Sequence, residues 1–265
     1  MRKKTISVLV VFVIGLLARG QMTKAEVIYQ TDFSTDPEWV TDQPSNYYWN
    51  ETAESYFVHN TNTYPGYHPN RYAGKTIEQP FDSFELQWDI QVTQCDWSAG
   101  LYFGIWDSSL QEPSQGGEYI MGVIGRSDGG RVITLTIGAN GINAEAGTAW
   151  QTNPWSLSEW YTFKLSYDSD TEIADMDVFD RDTAQSIWSN TLAVPGGGFT
   201  HDLLFLGSNL GPVGSHGYSG ISSTAVIEAN LDNVQLVPEP GTILLLGLGG
   251  VVLRKSRKKI GTETD

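Results

Sequence analysis

Between Phe84 and Val92 every even-numbered residue is apolar and every odd-numbered one is polar. A period of two is what a β-strand with one buried face requires, because successive side chains leave a strand on opposite sides. It also fixes the register, since a slip of one residue would turn the whole apolar set to water. No stretch between residues 27 and 237 keeps an apolar period of 3.6 over three turns, whereas short alternating runs bounded by Gly, Asp, Asn and Pro recur throughout. The body is therefore predicted to be all-β. Further candidate strands are Gly100 to Trp106, Tyr119 to Gly125, Val132 to Ile137, Trp160 to Tyr167, Ala174 to Phe179, Leu203 to Leu206 and Ala225 to Leu236. Asp128-Gly129-Gly130, Asn140-Gly141 and Asp168-Ser169-Asp170 fall where strands reverse. Leu101 to Trp106 is apolar on both faces, which predicts a place in mid-sheet with a second layer or a ligand over the Tyr102 and Trp106 side.

The two ends differ from the body. Met1-Arg2-Lys3-Lys4 precedes an apolar run from Ile6 to Leu17, with small residues Thr23 and Ala25 at positions −3 and −1 of a cut before Glu26. Residues 1–25 read as a secretory signal peptide, a signal helix that leads to the secretion machinery. No Cys stands near the cut, which argues against a lipoprotein. At the other end Val237-Pro238-Glu239-Pro240 is followed by an apolar run from Ile243 to Leu253 and by the basic cluster Arg254 to Lys259. The prolines keep the Glu239 segment extended and open to a processing enzyme. The apolar run gives about 16 Å of helix against about 30 Å of hydrocarbon, enough for transient membrane insertion and little for permanent anchorage. The basic cluster stays cytoplasmic, so the body lies outside. Residues 237–259 resemble the PEP-CTERM signal read by exosortases, with residues 260–265 a polar end beyond the usual stop. That resemblance implies a bacterial protein, cleavage by an exosortase-type enzyme near Pro238, Glu239 and Pro240, and delivery to the cell surface or extracellular matrix.

Removing both ends leaves about 210 residues, enough for one large β-sandwich, 26–236. Residues 26–240 hold six basic residues against 29 acidic ones, a net of −23. Nucleic acid is excluded as a partner on this ground, because Lys and Arg must displace the counterions of its backbone. The acidity also supplies oxygen ligands for a hard cation. Cys95 is the only cysteine, so no intrachain disulfide forms. His59, His68, His201 and His216 show no zinc-ligand spacing.

Asp32-Phe33-Ser34 with Trp39, the run Trp97 to Asp107, and Leu231-Asp232-Asn233-Val234-Gln235-Leu236 resemble a concanavalin A-like (laminin-G/lectin-glucanase) sandwich. The resemblance implies a two-sheet antiparallel jelly-roll sandwich with adjacent first and last strands, a carbohydrate-binding role and a structural Ca²⁺ near those termini. A galactose-binding-type jelly roll is the competing sandwich. Asp32 and Asp232 are the candidate Ca²⁺ ligands, brought together by adjacent terminal strands. The alternative is that Asp32 caps a turn and Asp232 is a solvent-facing strand residue.

For sugar binding, aromatic faces stack on pyranose rings while carboxylates and amides bond the hydroxyls. The candidates are Tyr64, Tyr67 and Tyr72 in one loop, with Trp97, Trp106, Trp150 and Trp155; the alternative is that these rings pack sandwich edges. The glucanase motif Glu-x-Asp-x-x-Glu is absent. Asp175 and Asp177 share a face while Asp180 points to the other, so the chain is read as non-catalytic. The expected function is binding of polysaccharide or matrix polymer at the cell envelope or outside it. The alternatives are a structural biofilm-matrix protein and a divergent glycosidase.

Overall fold

The computed structural model describes residues 27–63, 71–96, 99–107, 118–127, 130–139, 142–147, 153–194, 201–209 and 224–238. The signal segment and most of the sorting tail lie outside these residues. The described chain contains strands and turns with no helix. In chain order the strands are β1 (Tyr29–Thr31), β2 (Val40–Thr41), β3 (Tyr47–Asn50), β4 (Ser55–Thr63), β5 (Arg71–Phe81), β6 (Phe84–Cys95), β7 (Gly100–Trp106) and β8 (Tyr119–Ser127). They continue as β9 (Gly130–Ala139), β10 (Ile142–Gly147), β11 (Trp160–Asp168), β12 (Ile173–Asp180), β13 (Ser186–Ala193), β14 (His201–Asn209) and β15 (Thr224–Pro238).

Two antiparallel sheets result. One has eight strands in the order β13-β12-β11-β6-β15-β4-β3, with β1 also on β15; the other has seven, in the order β10-β9-β8-β7-β14-β5-β2. The first and last strands are neighbours, with Tyr29 opposite Leu236 and Thr31 opposite Val234. β7 sits in the middle of its sheet, between β8 and β14. The Asp168 carboxylate closes the β11–β12 reversal, accepting from the Asp170 amide at 2.8 Å and the Thr171 hydroxyl at 3.0 Å.

The even residues of β6 from Phe84 to Val92 are all buried: Phe84, Leu86, Trp88, Ile90 and Val92. Trp88 meets Phe163 of its own sheet at 5.0 Å between ring centroids and Phe103 of the facing sheet at 5.0 Å. Gly122 makes room for it, since a Cβ there would lie 2.7 Å from Met176 Sδ and 2.9 Å from Trp88 Cζ2. Polar groups also cross the interface. Asn60 of β4 donates to the Ser208 hydroxyl of β14 at 2.6 Å, and the Tyr47 hydroxyl pairs with the same Ser208 oxygen. Cys95 is buried, and burial pushes its thiol up to about 12, so it is no nucleophile at neutral pH.

The outer side of the eight-stranded sheet holds a buried carboxylate. Asp89 is 5% exposed and sits opposite Asp232 in the β6–β15 register. It accepts from Thr162 Oγ1 at 2.6 Å and Asn233 Nδ2 at 2.9 Å, and Arg181 Nη1 lies 3.4 Å away. The Arg181 guanidinium lies 4.6 Å over the Trp160 ring. Asn233 reaches Asp89 because β15 changes register between Asp232 and Gln235, with Asn233 at a φ of 50° that an asparagine tolerates.

β1 to β5, β10 and β13 were absent from the sequence-based strand map, and for β4 and β13 the physical reason is plain. β4 turns the polar Asn60 inward to its inter-sheet bond, which breaks the alternation, and β13 is an edge strand with little to bury. Trp88→Ala is predicted to cost about 3–5 kcal/mol, read by urea unfolding. Arg181→Ala should cost about 1–3 kcal/mol, towards the lower end because Thr162 and Asn233 still bond Asp89. A double-mutant cycle with Asp89→Asn should show positive coupling; additive losses would mean the guanidinium acts only through its packing on Trp160.

Candidate functional site

Leu101, Phe103 and Ile105 of β7 enter the core, so Tyr102, Gly104 and Trp106 face outward. The neighbours extend this set across the sheet. Trp106 stands opposite Tyr119 of β8 and Leu203 of β14, and Gly104 stands opposite Met121 and Phe205. Tyr102 is opposite Val123 and Gly207, and Gly207 is opposite Tyr72 of β5. Large rings thus alternate with glycines across the strands, which leaves each ring room to lean over its neighbour. Gly104 has no alternative residue, since a Cβ would lie 2.2 Å from the Ile120 carbonyl oxygen and 2.7 Å from Met121 Cα.

The rings form a diagonal ladder over four adjacent strands. Tyr119 and Trp106 lie 5.3 Å apart at 12°, Trp106 and Phe205 5.5 Å apart at 32°, and Phe205 and Tyr72 5.6 Å apart at 19°. The two outer pairs are stacked and the central Trp106–Phe205 pair is tilted, so each ring packs against the next. Trp106, Met121 and Phe205 are each 3% exposed, while Tyr72, Tyr102, Tyr119 and Leu203 are half-buried around them. The inner rings act as a backing, and the tyrosines carry the accessible apolar area and the hydroxyls. Burial, with Tyr102 and Glu145 nearby, pushes the Tyr119 hydroxyl up to about 12, so it remains a neutral O–H group. Stacked rings and neutral hydroxyls suit a ligand with both apolar faces and hydroxyl groups.

Of the ring candidates read from the sequence, Tyr72 and Trp106 are brought together in this ladder. Trp155 belongs elsewhere: it is 1% exposed, its Nε1 donates to the Val132 carbonyl at 3.0 Å, and the Arg131 guanidinium lies 5.2 Å over its ring. It offers no face to a ligand. Tyr64, Tyr67, Trp97 and Trp150 lie outside the described residues, as do Ala25, Glu26, Glu239 and Pro240; Pro238 ends β15. Tyr102 was singled out only as the side of β7 to be covered by a second layer or a ligand, and Tyr119, Met121 and Phe205 were not named as ligand candidates. Their signal was the apolar character of both faces of β7, repeated in Tyr119-Ile120-Met121 and Leu203 to Leu206.

The outer face of the eight-stranded sheet is polar and carries a groove of about 280 Å³ lined by Glu85, Gln87, Lys164, Asp175, Asp177 and Gln235, among others. Asp177 is opposite Lys164, and the Asp175 carboxylate accepts from the Thr191 hydroxyl. Asp180 is opposite the buried Tyr161 and serves a turn, accepting from the Thr183 amide at 2.8 Å and its hydroxyl at 2.7 Å. Those bonds hold its carboxyl below the usual carboxylate range.

Asp32 follows β1 and accepts from the Ser34 hydroxyl at 2.7 Å and the Ser34 amide at 3.1 Å, which lowers its pKa. Asp232 is surrounded by donors: the Asn233 amide at 2.8 Å, Asn233 Nδ2 at 3.1 Å and Arg181 Nη1 at 3.4 Å. Burial, the largest cause, raises the pKa of its carboxyl. A guanidinium on one of only two carboxylates does not fit a Ca²⁺ site. Among the described residues no three His, Cys, Asp or Glu side chains gather where a metal would be held.

The PEP-CTERM protein-sorting motif matches residues 236–258. Among curated proteins none matches the chain. In fold the chain is similar to the CBM2 module of the evolved Dit of Lactobacillus casei BL23 phage J-1, with a TM-score of 0.57, 12% identity, and 80% of this chain and 95% of that one covered. It is also similar to the Bacillus licheniformis beta-glucanase, with a TM-score of 0.53, 10% identity and coverage of 83% and 100%. Lectin II from Ulex europaeus aligns with a TM-score of 0.51, 10% identity and coverage of 81% and 99%. The chain therefore carries a PEP-CTERM sorting motif behind a body with the concanavalin A-like sandwich fold of lectins and glucanases.

Proposed function

We propose that this is an exported protein, sorted to the cell surface or extracellular matrix, whose sandwich binds carbohydrate without catalysis through the aromatic outer face of the seven-stranded sheet. The aromatic ladder Tyr119-Trp106-Phe205-Tyr72 carries this reading. A sheet face open only to water would be polar, as the outer face of the other sheet is; this one is built from rings with glycines between them. The lectin and beta-glucanase whose fold it shares point to the same class of ligand. Export proceeds by removal of residues 1–25 between Ala25 and Glu26. An exosortase-type enzyme then cuts near Pro238, Glu239 and Pro240 while the tail is held in the membrane.

Binding without hydrolysis is favoured over a glycosidase because the motif Glu-x-Asp-x-x-Glu is absent, the Asp175 carboxylate is bonded to the Thr191 hydroxyl and Asp180 is engaged in a turn. A matrix protein with no small-ligand site is the second reading, favoured by the burial of Trp106, Met121 and Phe205.

A glycan array with the purified protein separates the two, and a bound glycan confirms the first. Tyr72→Ala should then weaken binding about tenfold with little change in melting temperature, as expected for a half-exposed anchor ring. Phe179→Ala, on the other sheet, should leave affinity unchanged. Absence of binding across the array would establish the matrix reading. Melting should be the same with chelator and with excess Ca²⁺, because Arg181 occupies Asp232; a higher melting temperature in Ca²⁺ would show that Asp32 and Asp232 rearrange to hold the ion.

A further inference from the structure

Of the six basic residues of the body, Lys75, Arg126, Arg131, Lys164 and Arg181 can be placed, and none of these five falls on the aromatic face. Lys164 and Arg181 belong to the outer side of the eight-stranded sheet, the first with Nζ 5.3 Å from the Phe179 ring and the second on Trp160 and Asp89. Arg131 covers Trp155 and donates to its carbonyl at 3.1 Å. Arg126, exposed near the end of β8, stands opposite Arg131, and its charge acts on the Cys95 thiol. Lys75 Nζ donates to the Pro37 carbonyl at 3.5 Å. The backbone of Arg71 is in register with Ser208 of β14. The segments between residues 27 and 238 that lie outside the described residues contain no Lys or Arg.

The aromatic face does carry an acid. Glu145 of β10 is exposed and in register with Thr136, which stands opposite Met121. Resting on the sugar-binding reading above, we infer that the ligand of this face is a neutral polysaccharide and that acidic glycans are rejected. An acidic glycan must bring carboxylates or sulfates onto apolar rings beside Glu145 with no Lys or Arg side chain among the described ones to replace their water, which is costly. The −23 charge of residues 26–240 adds a repulsive field over longer range. A neutral pyranose asks only for an apolar face and hydrogen-bonding hydroxyls, and the tyrosines supply both.

The test compares neutral polymers (mixed-linkage β-glucan, galactomannan, dextran) with polyuronates (polygalacturonate, alginate). It uses full-length protein in mild detergent at about pH 8, where imidazoles are neutral. Affinities are measured at ionic strengths of about 10 mM and about 1 M, which shorten the screening length from about 30 Å to about 3 Å. The inference predicts at least one neutral polymer bound about tenfold or more tighter than either polyuronate at low salt, with neutral binding insensitive to salt. It also predicts that Glu145→Lys, a change at an exposed edge-strand position, raises polyuronate binding severalfold. Polyuronate binding equal to or tighter than neutral binding at low salt would overturn the inference and leave sugar binding standing. Failure of every polymer to bind would instead remove the sugar-binding reading itself.

Discussion

A two-layer sandwich gives every strand one face to bury and leaves the other to water, and this division governs the whole molecule. In the eight-stranded sheet the division is clean: Phe84, Leu86, Trp88, Ile90 and Val92 go in, while Glu85, Gln87, Asp89 and Gln91 go out. In the middle of the seven-stranded sheet it fails, because the outward side of β7, β8 and β14 is apolar too. A hydrophobic effect of about 25 cal/mol per Å² acts against leaving such a surface wet. The outer rings respond by stacking on one another, and what remains half-exposed is a row of tyrosines suited to a hydroxyl-bearing ligand.

The two outer faces are thus chemically opposite. One is a field of amides, hydroxyls and carboxylates in which the cations Lys164 and Arg181 are placed beside Asp177 and Asp89. The other holds rings, glycines, threonines and Glu145. The described basic side chains lie away from the aromatic face, and the proposed selectivity rests on what that face lacks as well as on what it presents. The binding reading rests on the aromatic ladder, and its proposed neutral specificity on the scarcity of basic residues, six against 29 acidic ones.

Strands whose alternation is strict were legible from the sequence, and Gly100–Trp106 has the boundaries expected of it. So was the adjacency of the terminal strands, through the resemblance of their motifs. β4 escaped because an inward Asn60 bonded to Ser208 looks the same in sequence as a polar loop residue. The site was half legible: two apolar faces on β7 announced a covering layer or ligand, but only strand order could show that Phe205 and Tyr72 join Trp106 across sheet neighbours distant in sequence. Trp155 illustrates the converse, since nothing local distinguishes a tryptophan that closes the core from one that meets a sugar. For Asp232 the deciding neighbour was Arg181, fifty-one residues away.

The central claim, that ligand meets the aromatic face and not the polar one, is most directly tested by backbone amide chemical-shift mapping with a soluble neutral oligosaccharide. The account predicts shifts concentrated at Tyr72, Tyr102, Gly104, Met121 and Phe205, with Gln87, Lys164 and Asp177 unmoved. Shifts confined to the polar groove of the eight-stranded sheet would contradict it.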